Sequence, residues 1–176
     1  GNWVPPCAVL WRRKSLERFG AWNEALSKHQ DAELMMRSIS LGARASESYS
    51  AESVYFEVAS GARISQKSDR RAHIDILNAR LDLIQQISGS ELDNAKVRNS
   101  IAGSLHKLEA RCIIFDQEDI AAEILRVRTE LGAPRYQGTW QHRIACRLVG
   151  LRYKVQISNF YHKKKYAIRR ALKAVQ

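Results

Sequence analysis

The sequence predicts a mostly helical chain: an α/β part over residues 1–65, with few strands and flanking helices, followed by an all-α region. Three observations carry that prediction. Up to about Ser65, short apolar stretches and one strong helical pattern lead into two strand-like runs. Beyond it, apolar side chains recur every three or four positions, the period of a half-buried helix. The charge is also uneven. The chain has 29 Lys plus Arg against 18 Asp plus Glu, a formal +11, yet residues 1–132 are balanced and residues 133–176 hold 11 basic and no acidic side chains. The expected organisation is therefore 1–65, a helical region over 66–132, and a basic amphipathic tail over 133–176.

The elements follow in order. An apolar stretch runs to Trp11, and a short helix around Ser15 to Phe19 ends at the Gly20 turn. A stronger helix spans Gln30 to Leu41, with Leu34, Met35, Ile39 and Leu41 near helical spacing, acids early and Arg37 late, as the helix dipole favours. Gly42 takes the position after its end. Strand-like runs follow at Ala43–Tyr49 and Ser53–Val58, the second with Val54, Phe56 and Val58 alternating. Next, Ile74, Leu77, Leu81, Ile84 and Ile87 form a helical stripe closed by Gly89. A helix from about Leu92 to Phe115 turns Val97, Ile101, Leu105, Leu108 and Ile113 inward. Asp116 with Asp119 reads as an N-cap and acidic first turn for a helix through Ile120, Ile124 and Val127 to Gly132.

Several classes are excluded. With 45% apolar residues the chain can build a core, so wholesale disorder is ruled out. The longest apolar runs fall far short of the ~20 residues that cross a bilayer. Cys7, Cys112 and Cys146 are odd in number, far apart and without a CxxC pair, so they read as reduced, mostly buried thiols and not as a disulfide framework or zinc site. His73, His106, His142 and His162 show no metal-ligand spacing and read as ordinary surface or partly buried side chains. No leader pattern precedes the fold, and Gly1-Asn2-Trp3-Val4 continues a longer polypeptide as readily as it starts one.

One polar group in the N-terminal part has chemical potential. Asp31 sits at a helix start, where amide dipoles favour a charged carboxylate. Such an Asp is first of all a cap; facing a cleft, it can instead take a proton from a substrate hydroxyl. The runs CAVLWRRKSLERFGAWNEAL (Cys7–Leu26), QDAELMMR (Gln30–Arg37) and LGAR (Leu41–Arg44) together resemble the second half of a family 2 glycosyltransferase. Its pattern is an apolar strand ending in a basic pair, a helix, a G-G-[FW]-[DN]-E-x-L turn, an [EQ]-D-x-[DE]-[LF]-x-x-R helix and a G-x-[RK] exit. The resemblance covers about residues 1–65 and implies part of a GT-A core that transfers a sugar from a nucleotide-sugar donor to an acceptor hydroxyl, usually with inversion. It implies Asp31 as the catalytic base and Trp22, Asn23 and Glu24 as the acceptor-side loop; Trp22 packing on the sheet and Glu24 holding a turn explain those two equally, and Arg37 is expected to pair with a carboxylate within the fold, the alternative being contact with substrate. The sequence departs from the family in lacking an Asp-x-Asp and a Gln-x-x-Arg-Trp, and Tyr55–Ser60 stands where members often carry Tyr-Arg-x-His. The expectation is therefore a portion without its donor-binding half, inactive alone, holding no cofactor itself. A divalent Mg or Mn ion would belong with the missing half.

The tail offers its own chemistry. Trp140, Ile144, Leu148, Leu151 and Val155 fall on one helical face beside Arg143, Arg147 and Lys154; a second set runs from Ile157 to Val175 opposite Lys163, Lys165, Arg169, Arg170 and Lys173. Such helices suit an anionic membrane surface and a lipid-linked acceptor, with a cytoplasmic protein peripheral at the inner face of the membrane. A solvated helix packed on protein explains the pattern equally. Nucleic acid is the weaker partner, since helical spacing already accounts for the aromatics. A non-catalytic helical scaffold is the remaining alternative.

Overall fold

The computed structural model describes residues 5–48, 50, 52–54 and 69–174, with side chains as far as Tyr161. After a 3-10 turn at Pro6–Ala8 come six helices among the described residues: α1 (Arg13–Phe19), α2 (Gln30–Ser40), α3 (Arg70–Ile87), α4 (Ala95–Ile114), α5 (Glu118–Glu130) and α6 (Trp140–Ala174). They divide into two compact units, Gly1–Asp93 and Asn94–Gln176, so the boundary falls inside the 66–132 segment.

The α/β class is overturned: among the described residues the chain is all-α. The first strand-like run is irregular from Ala43 to Ser48, and in the second Ser53 and Val54 are irregular. The remainder of that run, and the Tyr55–Ser60 stretch, lie outside the described residues. An apolar alternation makes a strand only where a neighbour supplies the ladder of hydrogen bonds and a surface to cover. Among the described residues neither is present, and Val54 stays 70% exposed. From residue 5 on, the stretch leading to Trp11 likewise forms no strand, and Leu10 is almost fully exposed.

In the first unit α1 packs on α2 and α2 on α3. Gly20 (φ 86°) ends α1. Asp69 caps α3, its carboxylate accepting from the Ala72 amide at 2.7 Å. Gly42 (φ 93°) closes α2, its amide donating to the Ile39 carbonyl while the Ala43 amide reaches the Ser38 carbonyl. This is the paired bond set of a left-handed helix stop. The buried faces are rotated from the predicted stripes. Leu34 and Ser38 are buried on α2 while Ile39 and Leu41 are exposed; on α3 His73, Ile76 and Ala79 are buried with Leu77, and Ile74 is exposed.

In the second unit α4 packs on α5 and α6. Ile101, Leu105, Leu108 and Ile113 of α4 are buried as the spacing predicts, as are Ile120, Ile124 and Val127 of α5; Leu151 and Val155 of α6 are buried too. Each such aliphatic side chain contributes about 1.5–3 kcal/mol. Asn94 caps α4 through the Val97 amide. Asp116 does not cap α5. It adopts φ 54° after the end of α4, where its amide donates to Ile113 and the Gln117 amide to Cys112, and Gln117 precedes α5 with no side-chain cap. The single tail face is also corrected. Gly150 (φ 77°, ψ 157°) breaks the helical phase of α6. Leu151 and Val155 therefore turn inward while Trp140, Ile144 and Leu148 stay exposed.

Candidate functional site

The Gly20–His29 loop is held against α2 and α3 by side chains from several positions. Arg37 donates from Nη1 to the Phe19 carbonyl and from Nη2 to the Ala21 carbonyl at 2.7 Å, while its Nε bonds Glu33 at 2.6 Å, one helical turn away. A Cβ on Gly20 would lie 2.7 Å from Arg37 Nη1, so a larger residue there has to displace the guanidinium. Further along, Asp75 of α3 accepts from the Ser27 amide at 2.8 Å, and Gln30 Nε2 donates to the Leu26 carbonyl.

That frame brings two predicted residues together. The Trp22 indole Nε1 donates to Asp31 Oδ1 at 2.9 Å, across nine positions of sequence. Asp31 occupies the second residue of α2, exposed; His29, with φ 69°, stands before the helix without a side-chain cap, so Asp31 is not the N-cap. Asn23 Oδ1 accepts from the Ala25 amide at 3.1 Å and shapes the turn, and Glu24 is exposed on it. Arg37 pairs with Glu33. A groove of about 640 Å³ lies alongside, lined by Asn23, Glu33, Arg37, Met36, Asp82 and Gln86 among others. Asp31 is not among its lining residues. Among the tail cations Arg143 and Arg147 are exposed; the side chains of Lys163, Lys165, Arg169, Arg170 and Lys173 lie outside the described residues.

A second constellation arises in the other unit. His106 and His142, which spacing treats as unrelated, place their Nε2 atoms 3.2 Å apart. His106 Nδ1 lies 3.2 Å from Glu109 Oε2, which also takes Arg128 Nη1, and Cys146 Sγ lies 3.4 Å from His142 Nε2. Arg128 Nη2 donates to the Pro134 and Arg135 carbonyls at 2.9 and 3.1 Å, tying down the α5–α6 connection. His106, Glu109, Arg128 and Cys146 are all buried. Burial lowers the His142 pKa, with Lys154 and His106 adding repulsion, and burial raises that of Cys146. Cys112 is pushed up to about 11 by burial and the nearby Asp119. Both buried thiols are therefore poor nucleophiles. Among the described residues no group of His, Cys, Asp or Glu is arranged to hold a metal ion, and no helix is long and apolar enough to cross a membrane. The sequence holds part of the signal for this cluster: Glu109 follows His106 by three and Cys146 follows His142 by four, each pair on one helical face.

The chain matches no protein-family model, no curated protein and no solved structure.

Proposed function

We propose that residues around Trp22 and Asp31 form the acceptor side of a glycosyltransferase similar to family 2, acting with a nucleotide-sugar donor, and that Asp31 is its general base. One observation carries this reading: the 2.9 Å bond from the Trp22 indole to Asp31 Oδ1, which joins two of the sequence blocks on which the resemblance rests. A carboxylate whose Oδ1 is held by an indole N–H presents Oδ2 in a set direction. There it would accept the proton of an acceptor hydroxyl as that oxygen attacks the anomeric carbon and the nucleotide diphosphate leaves, a contribution of about 10²–10⁴-fold to rate. Arg37 has no part in the chemistry; it keeps the Trp22 loop closed on the helix that carries Asp31. The Mg or Mn ion that the resemblance associates with the donor finds no fitting ligand set among the described residues, and the sequence has no Asp-x-Asp, so no step is assigned to it.

The test is sugar transfer by the natural polypeptide carrying these residues, with a panel of nucleotide sugars. Asp31→Asn keeps size and hydrogen-bonding capacity but removes the base. Transfer is expected to fall about 10²–10⁴-fold with donor affinity, read by calorimetry, unchanged. Transfer at the wild-type rate in this variant rejects the assignment.

A further inference from the structure

The outward side of α6 is apolar on both sides of its kink. Before Gly150, Trp140, Ile144 and Leu148 follow one another at single-turn spacing and are 61%, 47% and 79% exposed, on the side away from buried Cys146. After it, Tyr153, Ile157, Phe160 and Tyr161 repeat the arrangement away from buried Val155, each at least 60% exposed. Exposed Arg143 and Arg147 flank the first stripe. Two stripes of this kind on one helix exceed the scattered apolar side chains that water-facing surfaces ordinarily carry.

We propose that this side of α6 docks on an anionic lipid surface, the two apolar stripes entering the boundary between headgroups and acyl chains while the flanking cations meet lipid phosphates. This goes beyond the glycosyl-transfer reading and does not depend on it. Charge selects the occupant. Residues 133–176 hold 11 cations and no acid, so a second copy of the same helix would bring like charge against like charge, whereas an anionic bilayer neutralises it. A nucleic acid would neutralise the cations too, but gives Ile144, Leu148 and Ile157 nothing apolar to bury against. The composition fits an in-plane helix, with Trp and Tyr suited to the interface and aliphatic side chains between them. Gly150 lets each half of α6 keep its own phase, so both apolar stripes face outward while Leu151 and Val155 remain in the core.

Flotation of the full chain with vesicles tests this, using phosphatidylcholine alone and phosphatidylcholine mixed with phosphatidylglycerol. Flotation is expected only with the mixed vesicles and weakens as salt rises. Leu148→Glu with Ile157→Glu changes only exposed positions and should weaken vesicle affinity by at least about tenfold. Arg143→Glu with Arg147→Glu should weaken it by about fivefold per site or more. Helicity by circular dichroism should stay unchanged in both double variants. Failure to float with anionic vesicles overturns the proposal, whether or not the chain then binds an oligonucleotide or itself. Equal flotation with neutral vesicles, or anionic binding indifferent to the Leu148/Ile157 pair, overturns it as well.

Discussion

At Arg37 one guanidinium joins the helix that carries Asp31 to the turn that carries Trp22. Its bonds to the Phe19 and Ala21 carbonyls bracket Gly20, whose φ of 86° and ψ of 151° fall where side chains are rarely tolerated. Two separate penalties therefore meet in Gly20→Ala: backbone strain of about 1–3 kcal/mol, and displacement of a guanidinium that a new Cβ would approach at 2.7 Å. Arg37→Ala by itself removes charge-assisted bonds worth about 2 kcal/mol. Because the alanine at 20 has nothing to displace once Arg37 is gone, the double variant should be more stable than the sum of the singles predicts, by about 1 kcal/mol. Urea unfolding of the four proteins measures this, and strict additivity would mean that backbone strain alone explains the glycine.

At the scale of elements, the end of α4 separates two meanings of one aspartate. The pattern Asp116-x-x-Asp119 reads as the opening of α5, yet Asp116 supplies the left-handed residue that closes α4, while Gln117 stands before α5. Glycine adopts that conformation without steric cost and has no capping side chain. Asp116→Gly should thus stabilise the protein by about 0.5–1 kcal/mol in denaturant unfolding. A loss of about 1 kcal/mol would restore Asp116 as a cap. Local signals of this type were readable elsewhere: Gly20, Gly42 and Gly132 end helices as the sequence suggests, and the inward side of α4 and α5 follows from periodicity. What the sequence could not supply was non-local. A strand needs a neighbour, so the strand-like run at Ala43–Ser48 stays irregular, with no sheet among the described residues. A helix with apolar residues around much of its circumference takes its buried face from its neighbour, which is why Ser38 is inside and Ile39 outside. In α6 a single glycine conformation resets the phase. At the site, the motif separated Trp22, Asp31 and Arg37 from the background, but their bonds depend on how the loop folds back.

At the scale of the molecule, the second unit is held by more than its aliphatic core. Helices α4, α5 and α6 meet at a polar chain running from Arg128 through Glu109 and His106 to His142 and Cys146. Only one proton fits between the two Nε2 atoms 3.2 Å apart. One ring must therefore donate and the other accept at this contact, while His106 Nδ1 lies beside Glu109. Charging the His142 ring places a cation in a site that burial shields from water, beside Lys154 and His106, while Glu109 is already engaged by Arg128. The sign of the pH effect follows. Burial, with Lys154 and His106, holds the His142 pKa below its ordinary 6.5. Well above that value neither the folded nor the unfolded chain carries a proton on this ring, and its contribution to stability is intact. As pH falls below 6.5 the unfolded chain takes up a proton that the folded one refuses, so stability declines until the depressed folded value is passed. Thermal melting followed from about pH 7.5 to about pH 5 should show a falling Tm, and His142→Gln, which keeps a polar side chain but cannot titrate, should reduce the slope. A Tm that rises on acidification, or a slope indifferent to His142→Gln, would remove this ring from the acid sensitivity of the unit.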